Sequence, residues 1–143
     1  MVNKAKIKGS AFEHKVVVLM NDRVKKSIWK RVPGSGAMGT SLNEGLLMAD
    51  VTGDVEGFFA KIRAECKAGY NHSTGKEVKQ FTIYKEWLDK IKREAQSSFS
   101  FPMLFGKFDE AREGVKVFVV MDVEDFAAIL NKYQELVAEL EKK

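Results

Sequence analysis

Residues 57–67 read GFFAKIRAECK, and from residue 59 onward their side chains alternate between two faces. Because side chains in a strand point to opposite faces with a period of two, this spacing predicts a β-strand. One face is apolar and the other charged, which favours a half-buried strand with its charged face upward. The apolar face carries Ala60, Ile62, Ala64 and Cys66, and the opposite face carries Phe59, Lys61, Arg63, Glu65 and Lys67.

The end of this strand carries the first candidate site. Glu65 and Lys67 lie one pleat apart on the same face, and Asp50 comes at the end of the preceding apolar run, residues 46–51. If the two segments are neighbouring strands, they bring two carboxylates and one ammonium group together. This combination is typical of divalent-metal nuclease sites.

Length and composition limit the class of protein. The chain has 143 residues, 45% of them apolar and 31% charged, which predicts a single domain over residues 1–143. One cysteine, Cys66, excludes an internal disulfide. No apolar run reaches the ~20 residues of a membrane span, and the first ten residues lack the apolar segment of a secretory signal. We therefore expect a cytoplasmic protein with no membrane partner.

The charge is unevenly distributed. Residues 1–31 contain nine Lys and Arg against two acidic residues, whereas residues 109–143 contain five against nine. A basic front half and an acidic tail suggest a polyanion bound on one side, although a solvated charge distribution without a partner fits the same counts. The predicted phosphate contacts are Arg31, Lys30 and a basic arm over residues 1–8 that contains Lys4, Lys6 and Lys8.

The remaining patterns predict an α/β protein with a mixed central sheet flanked by helices. The predicted order is α-β-β-β-α-β-β-α, without repeats or a linker. Ser10 and Glu13 have the form of a capping box, which predicts that the first helix begins at Ser10. The predicted helices cover residues 10–22, 85–96 and a last one capped by Asp122, and the predicted strands cover residues 27–32, 46–51, 57–67, 101–108 and 115–122.

A glycine-rich segment, residues 33–45, follows the first predicted strand. Its unobstructed backbone N–H groups could approach a phosphate closely, and a mobile surface loop would have the same composition. It is not a Walker loop, because no Gly-Lys-Ser/Thr follows at the required spacing.

The order of the motifs resembles a known family. KGSAFE occupies residues 8–13, RVPGSG occupies residues 31–36, Asp50 follows, and ECK occupies residues 65–67. In this order the chain resembles the PD-(D/E)xK nuclease superfamily and, within it, the archaeal-type Holliday junction resolvases. The resemblance implies a restriction-endonuclease-like fold and a homodimer. The implied activity is nicking of two opposed strands of a four-way DNA junction with Mg²⁺, for which Mn²⁺ can substitute.

The resemblance also implies roles for individual residues. Lys67 takes the lysine position, and Arg31 and Ser35 fall near the scissile phosphate. Gly36 and Arg63 join the candidate DNA contacts. The implied metal ligands are Asp50, Glu65 and the carbonyl of Cys66, with Glu13 on the outer waters or on a second ion. Mg²⁺ prefers such oxygen ligands.

Three features depart from the family pattern: Ala49, the loop before Asp50, and His14, which stands where the family often has an arginine after the helix glutamate and so weakens one candidate DNA contact. Ala49 replaces the proline that precedes the aspartate, which is tolerable because proline makes no metal bond. The long loop before Asp50 leaves Asp54 as an alternative ligand, and Asp50 is preferred because it ends an apolar run. Two other functions stay open: another endonuclease of the superfamily, of the repair or restriction type, and a DNA-binding module that has lost catalysis.

Apolar residues in the second half of the chain indicate where two subunits could meet. Phe99, Phe101 and the residues up to Phe105 crowd one short segment beside the apolar strand 115–122. Because a large apolar surface usually marks an interface, a dimer burying part of residues 99–105 or the neighbouring strand is expected.

Overall fold

The computed structural model describes residues 4–32, 50–68 and 76–142, with side chains described from residue 10 of the first helix. The element order is α-β-β-β-α-β-β-α, which confirms the predicted α/β class with a mixed sheet. The helices are α1 (Lys4–Arg23), α2 (Lys85–Ser97) and α3 (Val123–Glu141), and the strands are β1 (Ser27–Arg31), β2 (Val51–Val55), β3 (Lys61–Lys67), β4 (Ser100–Lys107) and β5 (Val117–Val120).

The five strands form one sheet in sequence order. β2 runs antiparallel to both β1 and β3, β3 and β4 are parallel, and β5 is antiparallel to β4. The parallel pair requires a crossover connection, and α2 lies within it. β3 is therefore the central strand, and its last residues lie beside both β2 and β4.

The core lies between one face of this sheet and α1. Phe12 and Val16, four residues apart on α1, are buried against the apolar face of β3 and against Phe101 and Phe105 of β4. Phe12 and Val16 are therefore the buried residues through which α1 joins the core. The segment around residues 99–105 is thus mainly core: Phe101, Leu104 and Phe105 are buried, whereas Phe99 is 93% exposed.

The opposite face of β3 is covered by α2. This helix turns Trp87, Ile91 and Ala95 inward, and it also buries Glu94. The expectation of a half-buried strand with an exposed charged face was wrong, because Arg63 and Glu65 are 0% and 4% exposed. The alternation was predicted correctly, but both faces of a central strand in this fold are covered.

Two predicted boundaries also differ. α1 begins by Lys4, so Ser10 lies inside the helix and neither it nor Glu13 forms a capping box. β2 covers Val51–Val55, so Asp50 directly precedes this strand, and residues 46–49 of the predicted second strand lie outside the described residues. Within β2, a Cβ atom at Gly53 would lie 2.5 Å from the Trp29 ring, so only glycine lets that ring lie over the neighbouring strand.

The C-terminal elements lie at the other end of the sheet. Asp122 caps α3 as predicted, its side chain accepting a hydrogen bond from the Glu124 N–H. β5 is an edge strand of the described sheet, with Val119 exposed. None of the helices in the described ranges combines the length and hydropathy needed to cross a bilayer.

Candidate active site

Asp50 is fixed between two strands before β2 begins. Its backbone N–H donates to the Ala64 carbonyl at 3.1 Å, and its carbonyl accepts from the Val32 N–H at 3.0 Å. Its side-chain Oδ2 accepts a hydrogen bond from the Cys66 N–H at 2.8 Å. Both main-chain and side-chain bonds therefore hold the Asp50 carboxylate against the end of β3, beside Glu65.

Lys67 and Glu65 lie together on the α2 side of β3. The Lys67 ammonium is 3.4 Å from Glu65 Oε1 and lies over the Trp87 ring, 5.0 Å from its centroid. An ion pair and a cation–π contact thus fix the direction of the Lys67 side chain. The predicted trio of Asp50, Glu65 and Lys67 is gathered at this end of the sheet.

Two residues of α2, Lys90 and Glu94, join the trio and were missed in the sequence. Lys90 Nζ lies 3.7 Å from Glu65 Oε1 and 3.7 Å from Glu94 Oε1. Glu94 is 4% exposed, although it occupies the inner, apolar stripe of its helix together with Ile91. A carboxylate three residues after a core isoleucine on an amphipathic helix is the signal that could have found it.

Arg63 is part of this buried layer and does not face solvent. Its Nε donates a hydrogen bond to Ser100 Oγ at 3.1 Å, and the charge of Glu94 opposes the lowering of its pKa by burial. The expectation that Arg63 contacts DNA is therefore corrected, because a side chain with no exposed surface cannot reach a phosphate.

Glu13 approaches the site from α1. Its Oε2 accepts hydrogen bonds from both Nε and Nη2 of Arg31, at 3.2 and 3.0 Å. Burial and then the nearby carboxylate of Asp50 raise the pKa of Glu13, and the pairing with Arg31 opposes this. Glu13 therefore lies beside Asp50, bound to β1 through Arg31.

The carboxylates of the site repel one another. Burial, followed by the charge of Asp50, raises the pKa of Glu65 to about 7, and Lys90 and Lys67 oppose the shift. Burial also raises the pKa of Glu94. Oε2 of Glu65 and both carboxylate oxygens of Glu94 are buried without a hydrogen-bond partner. Burial and mutual repulsion therefore disfavour the ionised carboxylates, and the charges of Lys90, Lys67 and Arg63 offset this cost only in part.

Within the described ranges, no group of three or more His, Cys, Asp or Glu side chains is arranged closely enough to hold a metal ion. The carboxylates of Asp50 and Glu65 nevertheless suit a bound cation. Glu65 has a buried oxygen without a hydrogen-bond donor, and the neighbouring charge of Asp50 makes its ionisation costly. A hard cation between these two carboxylates would compensate both effects. Cys66 contributes no thiol chemistry, because its side chain is buried in the core and burial raises the pKa of the thiol.

The remaining predicted residues are placed as follows. Lys30 and Arg31 lie on β1 and are exposed, and Asp54 is exposed on β2. The arm that contains Lys4, Lys6 and Lys8 is helical from Lys4 onward. Ser35 and Gly36, with the rest of the glycine-rich segment 33–45, lie outside the described residues.

A comparison with protein-family models gives a match over nearly the whole chain. Residues 4–142 match the family described as "Phage putative PDDEXK endonuclease". The chain belongs to this family. Membership makes it a nuclease of the PD-(D/E)xK superfamily, for which DNA is the substrate class, and agrees with the fold and with the gathered Asp50, Glu65 and Lys67. No curated protein gives a significant match.

Proposed function

We propose that this nuclease is a metal-dependent, structure-selective endodeoxyribonuclease that resolves four-way DNA junctions. The observation that carries the chemistry is the convergence of Asp50, Glu65 and Lys67, with Asp50 held by the Cys66 N–H at 2.8 Å. The preference for junctions is supported by KGSAFE at residues 8–13 and RVPGSG at residues 31–36, which resemble the junction-resolving branch of the superfamily.

Asp50 and Glu65, with the Cys66 carbonyl, would hold Mg²⁺, and Mn²⁺ would substitute for it. The bound ion would stabilise charge on the phosphate and lower the pKa of a water molecule. Lys67 is already oriented by Trp87 and Glu65, so its ammonium can bind the phosphate or position the attacking water. Glu13 would hold the outer waters of the ion or a second ion.

We also propose that the nuclease acts as a homodimer. A four-way junction presents two symmetric scissile phosphates, whereas the described residues of one chain form one candidate site. Two-fold symmetry places two sites on one junction. Lys30 and Arg31, exposed on β1, would contact the phosphates together with the basic residues of α1 and with Ser35 and Gly36.

The test compares labelled four-way junction, linear duplex and single strand, each with and without Mg²⁺. We expect Mg²⁺-dependent paired nicks in the junction and little cleavage of the duplex. Asp50→Asn and Glu65→Gln should abolish cleavage while junction binding persists. The matched control is Asp54→Asn, which changes the exposed alternative ligand on β2 and should leave cleavage intact.

The other outcomes separate the alternatives. Equal cleavage of duplex and junction would favour a repair- or restriction-type endonuclease. Binding of DNA by the wild-type protein without cleavage in any divalent cation would favour a DNA-binding module on the same fold. Loss of activity in Asp54→Asn but not in Asp50→Asn would assign the metal ligand to Asp54 on β2.

A further inference from the structure

The helix α3 is the least buried element of the described chain. It has 19 residues, and none of its side chains is fully buried. Ile129 packs against the core, and Lys92 of α2 pairs with Asp122 and Asp125 at the start of the helix. Because an isolated helix of this length is only marginally stable in water, packing of its apolar face has to supply much of its stability.

The exposed apolar side chains of α3 follow the spacing of a coiled coil. Starting at residue 123, the intervals are three, four, three, four and three residues, which places the side chains at successive a and d positions of a heptad. Five of the six are between 49% and 76% exposed. This seam consists of Val123, Phe126, Leu130, Tyr133, Val137 and Leu140.

We propose that the seam pairs with the same seam of a second copy of the chain, as an antiparallel two-helix coiled coil. A two-fold axis between residues 131 and 132 places each seam residue opposite a seam residue of the second copy, and the numbers of the two residues add up to 263. The layers are then Val123 with Leu140, Phe126 with Val137, and Leu130 with Tyr133, each formed twice. Every layer joins a larger side chain to a smaller one, which suits close packing.

The antiparallel direction follows from these layers and from the helix dipoles. A parallel pair would oppose Phe126 to Phe126 and Tyr133 to Tyr133, with both phenol groups in the seam. It would also align the two helix dipoles, whereas the antiparallel pair opposes them.

The charges of α3 are consistent with a second copy as the occupant. Four of its five acidic residues, Glu124, Asp125, Glu135 and Glu139, fall at the b, c and f positions, away from the seam, and Glu141 falls at an e position beside the terminal layer. The positions that flank the central layers are uncharged: Ala127 and Gln134 on one side, and Ile129 and Leu136 on the other. The acidic charge of the helix therefore lies away from the central layers, and DNA would not bind to this surface.

The first experiment is sedimentation of the full chain at micromolar concentrations without DNA, so its result does not depend on nuclease activity. We expect a dimer of the 16.1 kDa chain. Leu130→Glu should weaken it by at least about 30-fold while the helical circular dichroism is retained. The matched control Asn131→Glu adds the same charge on the side facing away from the seam and should leave the dimer intact.

A second experiment tests the direction, in a Cys66→Ala background. Ala127→Cys and Gln134→Cys are made separately and treated with a short bismaleimide. In the antiparallel pair, residue 127 of one copy and residue 134 of the other lie on the same side of the seam, about 3 Å apart along the axis, so a mixture of the two variants should give covalent dimers. Ala127→Cys alone is the control and should cross-link inefficiently, because its two copies lie about 13 Å apart along the axis, against about 7.5 Å for two copies of residue 134.

Three results would overturn the proposal. One is a wild-type chain that stays monomeric even at 100-fold higher concentration. Protection of the Tyr133→Cys variant from maleimide in such a monomer would mean that another part of the same chain covers the seam. The second is a dimer that survives Leu130→Glu, which would place the interface elsewhere. The third is a dimer in which the cysteines at positions 127 and 134 do not cross-link.

Discussion

Nζ of Lys90, on α2, lies 3.7 Å from Oε1 of Glu65, on the central strand β3. Since Lys90 also contacts Glu94, it is the cation that two buried carboxylates share. Lys90→Met should lower the free energy of unfolding at pH 8 by about 1 kcal/mol and reduce junction cleavage at least tenfold. Urea unfolding and single-turnover cleavage measure the two effects.

The matched control for this variant is Lys85→Met, five residues earlier on the same helix. The described residues give Lys85 one ion pair, with the half-exposed Asp89, so its loss should change both measurements little. Equal effects of the two substitutions would contradict a specific role of Lys90 at the site.

The carboxyl group of Glu65 makes stability depend on pH in the metal-free protein. Its pKa is raised to about 7 by burial and by Asp50, against an ordinary value of 4.5. The native state therefore binds more protons than the unfolded state between about pH 4.5 and 7, so the free energy of unfolding falls as pH rises through this window.

Glu65→Gln should remove this decrease in the free energy of unfolding with rising pH. Above pH 7, without divalent cations, the variant should exceed the wild type in free energy of unfolding by up to about 3 kcal/mol, less the cost of burying the amide. The advantage should vanish near pH 4. A urea-unfolding series from pH 4 to 8 measures it, and parallel curves for the two proteins would contradict the prediction.

The basic side of the molecule should make junction binding steeply dependent on salt. Lys30 is exposed on β1, so Lys30→Ala should reduce the slope of log affinity against log salt by about one. The matched control Lys132→Ala lies on the acidic helix α3 and should leave the slope unchanged. A nearly flat salt dependence of the wild type would argue against phosphate contacts on this side.

The alternation in residues 59–67 predicted which side chains of β3 share a face, and this was correct. It could not predict that the charged face is buried, because the covering groups Lys90 and Glu94 come from a helix more than 20 residues later. A buried charge requires partners to compensate it, and strand periodicity carries no information about them. The candidate trio was therefore predicted, whereas its surroundings were not.

The boundaries failed for a different reason. Thr52, Gly53 and Asp54 are residues typical of turns, yet they lie within β2, where Gly53 makes room for the Trp29 ring on β1. Ser10 has the form of an N-cap, yet the helix already includes the preceding residues. In both cases a local signal was overridden by neighbours elsewhere in the chain.

Glu13 should matter for catalysis and little for stability. It does not cap α1, and its ion pair with the partly exposed Arg31 contributes less than about 1 kcal/mol. Glu13→Gln should therefore lower single-turnover cleavage at least tenfold with little change in melting temperature. Asp22→Asn, an exposed acidic change on the same helix, serves as the control. A lower melting temperature with intact cleavage would assign Glu13 a purely structural role.

Phe99 occupies a backbone conformation that favours glycine. It follows the C-cap Ser98 of α2 with φ of 53°, and its N–H donates to the Gln96 carbonyl at 3.3 Å. A left-handed backbone conformation at this position costs a residue with a Cβ atom roughly 1–2 kcal/mol, whereas it costs glycine little. Because the ring is 93% exposed, its removal loses little packing in the monomer.

Phe99→Gly should therefore raise the free energy of unfolding by about 1 kcal/mol and the melting temperature by about 2–4 °C. Phe99→Ala is the matched control, since it removes the same ring and keeps the Cβ atom that causes the strain. Thermal and urea unfolding of both variants separate the two contributions. If alanine stabilised the chain as much as glycine, the gain would come from removing the exposed ring, and the backbone explanation would be wrong.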